Sequence, residues 1–181
     1  MIKNVIFDIG NVLLDFCWKD HIARFGFQGE KADRIAQAMM LGPIWPKLDL
    51  GLESDEDILE QFVAHTPELE QEIRLVFSDL STIVREYEGS VDWIESLKAR
   101  GYHTYYLSNY GERIRREASK ELSFLSHMDG GIMSYTVHLA KPDPAIYQTL
   151  LDRYGLKAEE CVFLDDTKAN IDGALRAGMQ G

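Results

Sequence analysis

Asp8, Ser108 and the pair Asp165-Asp166 each close a short apolar run, VIF, YYL and VFL respectively, and Lys141 follows a fourth such segment. A carboxylate at the end of a buried strand is costly unless it is paired, bound to a metal or chemically useful. Taken singly, each position also fits a surface turn or a helix start. Brought to one crevice, they supply three carboxylates, a hydroxyl and an ammonium. That mixture suits a divalent cation facing a phosphate.

The elements that must position them can be read from pattern. Asn4–Phe7, His103–Leu107, Gly131–Val137 and Cys161–Leu164 read as strands. Helical spacing separates them: Ser90 is expected to cap a helix to about Arg100, Asp143-Pro144 opens one that Gly155 ends, and a last one closes at Gly178. Alternating strand and helix predicts an α/β fold, a Rossmann-like parallel sheet with helices on both faces and ligands at the carboxyl ends of the strands. Residues 15–89 break the rhythm, with no convincing strand. Ser54 with Asp57 resembles a capping box, and Thr66-Pro67 opens a further helical run. The expected organisation is a core of residues 1–14 and 90–181 with a helical cap, 15–89, over the strand ends.

Bulk properties exclude several classes. At 181 residues, one domain with a sizeable insertion is expected. No apolar run approaches the roughly 20 residues of a membrane-spanning helix. MIKNVIFD leads straight into a strand, so no signal peptide is expected and the cytoplasm is the expected compartment. A net charge of -11 disfavours nucleic acid and acidic membrane surfaces as partners. Cys17 and Cys161 are too few for a disulfide framework and read as core packing. Histidines 21, 65, 103, 127 and 138 show no metal-ligand spacing.

VIFDIGNVL, YYLSN, AKPDPAIY and VFLDDTKAN, in that order, resemble the motifs of the haloacid dehalogenase (HAD) superfamily, and the helical insertion stands where that family carries its cap. The resemblance covers nearly the whole chain and is nearest the capped phosphatase-like branch. It implies Asp8 as nucleophile, with Ser108, the Asn109 amide and Lys141 on the transferring phosphoryl group. It implies Mg2+ held by Asp8, the Gly10 carbonyl and Asp166, with Asp165 and Asn170 in support behind them. The implied activity is magnesium-dependent hydrolysis of a small phosphorylated metabolite, with sugar phosphates among the candidates, through an aspartyl-phosphate. The alternatives are a 2-haloacid dehalogenase using the same aspartate, and a non-catalytic binding protein.

Two departures qualify the resemblance. The family's phosphatases usually carry a second Asp two residues after the nucleophile to protonate the leaving group, and here that place is Gly10. Unless Asp15, His21 or a water held by the cap supplies the proton, esters with good leaving groups, such as acyl or anomeric sugar phosphates, are the expected substrates. A further short strand is also expected beyond Gly178. Trp45, Lys47 and Asp49 in GPIWPKLDLG are the candidate selectivity residues, with Trp45 equally suited to the core.

Overall fold

The computed structural model describes residues 1–181. From the N-terminus the chain runs β1 (Asn4–Phe7), β2 (Leu14–Phe16), α1 (Trp18–Arg24), α2 (Gly29–Ala38), α3 (Trp45–Leu50), α4 (Asp55–His65), α5 (Glu70–Phe77) and β3 (Val84–Glu86). Then come α6 (Ser90–Ala99), β4 (His103–Ser108), α7 (Glu112–Glu117), β5 (Gly130–Met133), α8 (Pro144–Tyr154), β6 (Cys161–Leu164) and α9 (Lys168–Arg176). The main sheet is parallel, in the order β5-β4-β1-β6, with Asn4 in register with both His103 and Cys161. Beyond β6, Gln180 bridges to Val162, so pairing resumes where a further strand was expected.

All four residues of β1 are buried, and they alternate between two cores as a pleated strand requires. Ile6 joins Tyr105, Leu107 and Ile132 against Ile146, Leu150 and Ala174 of α8 and α9. Val5 and Phe7 belong to the other face, where Phe7 meets Trp93 of α6 edge-on at 4.9 Å. That second core is continuous with the interior of the helical segment. Ile22, Ile35, Phe62 and Phe77 belong to the same buried cluster as Phe7 and Phe124. The α1–α5 segment therefore shares its core with one face of the sheet, and removing it would strip apolar surface from that face.

Local sequence accounts for the starts of α4 and α8. Ser54 Oγ accepts from the Asp57 N–H at 3.1 Å, and Asp143 caps α8 by accepting from the Ala145 N–H at 2.8 Å. Three expectations need correction. Gly89, at φ 90°, precedes α6, and Ser90 instead donates its hydroxyl to the Leu13 carbonyl at 2.7 Å. The segment read as a strand to Val137 ends at Met133, because Ser134–Thr136 tightens into a 3-10 turn. Strands do occur beside the helical segment: β2 and β3 pair antiparallel, Leu14 with Glu86 and Phe16 with Val84. Cys17 and Cys161 are both buried and unbonded to one another.

Candidate active site

Because β1 lies between β4 and β6, their C-terminal ends bring Asp8, Ser108 and Asp165 to one edge. Asp8 follows β1 and is held by its N–H, which donates to the Leu164 carbonyl at 2.8 Å. The chain then turns sharply through Asn11, whose φ of 56° is left-handed, a conformation that asparagine tolerates better than most residues. Gly10 itself has no positive φ. The turn, which explains why the apolar run of β1 breaks, is carried by Asn11.

Lys141 enters from the loop before α8. Asn109 holds that loop by both backbone groups, accepting from the Lys141 N–H at 2.8 Å and donating to its carbonyl at 3.0 Å. The ammonium lies 2.8 Å from Asp8 Oδ1 and 2.6 Å from Asp165 Oδ2. Asp165 also accepts from Asn170 Nδ2 at 3.0 and 3.1 Å and from the Thr167 N–H at 2.8 Å. Both its oxygens are thus engaged by the protein. Asn170 is fixed in turn by Tyr147, whose hydroxyl donates to its carbonyl at 2.8 Å.

Asp166 is different. It is exposed, its contacts are to Asn11 Nδ2 at 3.0 Å and the Thr167 hydroxyl at 3.5 Å, and it opens into the same cavity as Asp8. One carboxylate oxygen from each of Asp8, Asp165 and Asp166 lies within 4.8 Å of the others. The donors are hard oxygens, which suits Mg2+ or Ca2+ and not a thiophilic ion. With Asp165 fully engaged, Asp8 and Asp166 are the two carboxylates available to hold such a cation, and the Gly10 backbone lines the cavity beside them.

Burial raises the pKa of Asp8, Lys141 opposes that shift, and the Asp165 charge adds to it. The Ser108 hydroxyl hydrogen-bonds the Asp8 carboxylate and also opposes the rise. Ser108 is 1% exposed and does not line the cavity, whereas Asn109 and Lys141 do.

The cavity, about 250 Å3, is also lined by Trp45 and Asp49 of α3, outside the sheet. These two stand four residues apart, on one face of the helix. Trp45 is 7% exposed and belongs to the core while lining the cavity, so both readings of it hold. Lys47 points elsewhere, to Gln61 Oε1 at 2.6 Å and Glu53 at 3.3 Å. Tyr110 adds a buried hydroxyl without a hydrogen-bond partner. Its place directly after YYLSN was the only signal for it in the sequence.

Neither of the side chains considered as substitute acids reaches the cavity. His21 is fully buried among helices, with its ring nitrogens 3.0 Å from Thr82 Oγ1 and 3.3 Å from the Val76 carbonyl. Asp15 lies in β2 and accepts from the Cys17 thiol at 3.2 Å. His103 and His127 face Asp129 and Glu95, and His138 bonds the Leu50 carbonyl.

The parallel sheet with this edge sits in a chain whose residues 2–178 match the family model for haloacid dehalogenase-like hydrolases. The chain belongs to that family. It is 29% identical over 93 residues, 51% of its length, to (S)-2-haloacid dehalogenase 4A of Burkholderia cepacia. It is 27% identical over 125 residues, 69% of its length, to the phosphorylated carbohydrates phosphatase of Thermotoga maritima. Those matches span 40% and 55% of the two relatives. Among solved structures, the HAD family enzyme bt-2542 of Bacteroides thetaiotaomicron, in complex with magnesium and inorganic phosphate, superposes with a TM-score of 0.74 at 21% identity. The likeness covers 99% of this chain and 92% of that one. No helix is long and apolar enough to cross a membrane.

Proposed function

We propose that the chain is a magnesium-dependent phosphatase of small phosphorylated metabolites, acting through an aspartyl-phosphate on Asp8. The observation that carries this reading is the contrast between the two acids after β6. Asp165 is spent on Lys141, Asn170 and Thr167, while Asp166 carries no ion pair, accepts only from Asn11 and the Thr167 hydroxyl, and is exposed beside Asp8 at the cavity. Asp8, Asp165 and Asp166 with Lys141 carry a formal charge of 3 × (-1) + 1 = -2. Such a pocket repels an anionic substrate unless a cation is bound. A 2-haloacid dehalogenase, which attacks carbon and needs no metal, gains nothing from an exposed Asp166 without an ion-pair partner.

On this reading Asp8 attacks phosphorus in line, forming the aspartyl O–P bond as the ester P–O bond breaks. Lys141, positioned by Asn109 and Asp165, neutralises the phosphoryl charge, and the Asn109 backbone N–H would donate to it. Ser108 contributes by holding Asp8 ionised. Water then cleaves the aspartyl-phosphate, releasing phosphate and restoring Asp8. Mg2+, held by Asp8, Asp166 and the Gly10 carbonyl, would supply charge neutralisation of the phosphoryl oxygens. The helices α1–α5 act as the cap, with α3 facing the substrate. The relatives include both a phosphatase and a dehalogenase, so the test must separate them. Phosphate release from p-nitrophenyl phosphate that requires MgCl2, without chloride release from 2-chloropropionate, is the expected result. Chloride release in EDTA without phosphatase activity would replace this reading with the dehalogenase one.

A further inference from the structure

With Gly10 in place of the usual acid, the leaving group needs a proton from elsewhere. Of the residues lining the cavity, three carry carboxyl groups: Asp8, Asp166 and Asp49. The first is committed as nucleophile and the second to the cation, so Asp49 alone is uncommitted. It lines the same cavity from α3, outside the sheet, within electrostatic reach of Asp8 and Lys141, where the leaving group of a substrate whose phosphoryl group rests on those two residues can meet it.

Asp49 is held there by the core itself. Ser134, at the end of β5, donates its hydroxyl to the Asp49 carbonyl while accepting from the Tyr110 N–H at 2.9 Å. One residue on, the Leu50 carbonyl is bonded by His138 Nδ1 at 2.8 Å. Gly51 then ends α3 at φ 60°, packed so closely on Tyr135 that a Cβ would come within 2.9 Å of it. The last two residues of α3 and the glycine that ends it are therefore pinned to the turn after β5. This part of the helical segment is fixed over the site.

We propose that Asp49 is the general acid that protonates the departing oxygen, and the base that then takes a proton from the attacking water. The assignment rests on the phosphatase reading. In the first half-reaction the P–O bond to the leaving group breaks and its oxygen takes the Asp49 proton, leaving a carboxylate. In the second, water forms a P–O bond, the aspartyl O–P bond breaks, and Asp49 recovers a proton from that water.

The surroundings favour a protonated Asp49 before the first step. Burial raises its pKa to about 7, with the Asp8 charge adding to the shift and Lys141 opposing it. The other ionisable groups around it are Tyr110 from the core, Tyr135 and His138 from the segment after β5, and Lys47 on its own helix, which is turned to Glu53. Tyr110 is the rival donor. Burial raises its phenol further from the neutral range, making it a weaker acid, though its unpartnered hydroxyl can still hydrogen-bond a substrate. A proton donor matched to neutral pH is worth about 10²- to 10⁴-fold for a poor leaving group.

The test compares wild type, Asp49→Asn and Tyr110→Phe on 2,4-dinitrophenyl phosphate, phenyl phosphate and glycerol phosphate with MgCl2, across pH. Wild type is expected to show a shallow dependence on leaving-group pKa and a fall in kcat/KM as pH rises past about 7. Asp49→Asn should lose about 10²-fold or more on glycerol phosphate, progressively less as the leaving group improves, together with the basic fall. Equal losses on all three esters, or a basic fall that persists, would overturn the assignment while phosphate release itself upholds the phosphatase reading. The same leaving-group signature in Tyr110→Phe instead would move the proton to Tyr110. Failure of wild type on every ester would overturn both proposals.

Discussion

Lys141 and Asp165 form an ion pair 2.6 Å long whose side chains are 1% and 0% exposed. Removing one partner of such a pair strands the other charge, at a cost of about 3–5 kcal/mol. Lys141→Met, which strands both Asp165 and Asp8, is expected to destabilise the fold by at least about that much in urea melts, and Asp165→Asn by less, because Lys141 keeps Asp8 at 2.8 Å. Combined, they should cost clearly less than the sum, because the loss of Lys141 then strands Asp8 alone and no longer Asp165 as well. Strictly additive costs would mean that the pair is uncoupled.

Asp8→Asn preserves shape but removes both the nucleophile and an anionic ligand. Turnover is expected to vanish with the melting temperature at or above that of wild type, since burial already disfavours the charge at this position. Residual kcat within about tenfold of wild type, a barrier change of only 1.4 kcal/mol, would remove Asp8 from the chemistry.

Asp166 is exposed and bonded by Asn11 and Thr167, so Asp166→Asn should change stability by no more than about 0.5 kcal/mol. Its effect is expected on the metal. Calorimetric titration with MgCl2 should show weaker binding than wild type, and part of the activity should return at high magnesium. Unaltered affinity would reassign the ligand.

How far these residues could be read in advance follows from the range of the forces that place them. The ends of β1, buried throughout, and of β6, buried at alternate residues, were legible because each strand is a local apolar run that a charged residue interrupts. The ribbon of β2 and β3 was not, since three residues carry too little periodicity and their pairing spans the whole helical segment. Ser90 followed by apolar spacing looked like a cap, yet Gly89 takes the turn and frees the hydroxyl for Leu13. Asp49 was visible as a selectivity candidate only. Its altered acidity arises from Asp8 and Lys141, which lie 41 and 92 positions away in the chain, and from burial that only the assembled fold provides.

Asp49 also makes stability depend on pH. Its folded-state pKa of about 7 exceeds its ordinary value of 3.8, so between those values the folded state binds more protons than the unfolded one. The contribution is full below about pH 4 and is lost as pH rises through 7. In metal-free buffer, Asp49→Asn should melt close to wild type at pH 4 and above it at pH 8. A constant difference across that window would mean that Asp49 titrates normally.

Gly10 permits a reciprocal test. A Cβ placed there meets nothing within 4 Å, its φ is not positive, and it lines the cavity two residues after Asp8. Gly10→Asp is therefore sterically open, and it installs a carboxyl where the family's phosphatases usually hold theirs. If the missing acid has been taken over by α3, the two positions are alternatives. Gly10→Asp alone should do little on glycerol phosphate, because Asp49 already supplies the proton. In the Asp49→Asn background the same change should recover at least about tenfold of kcat/KM on that ester, out of the 10² to 10⁴ that general acid catalysis supplies. It should recover far less on 2,4-dinitrophenyl phosphate, whose leaving group needs no proton. The coupling between the substitutions is thus expected to be large on glycerol phosphate and small on 2,4-dinitrophenyl phosphate, a contrast that a general change in folding would not produce. Equal rescue on both esters would show that Gly10→Asp repairs the packing of the site, and that the loss in Asp49→Asn was structural.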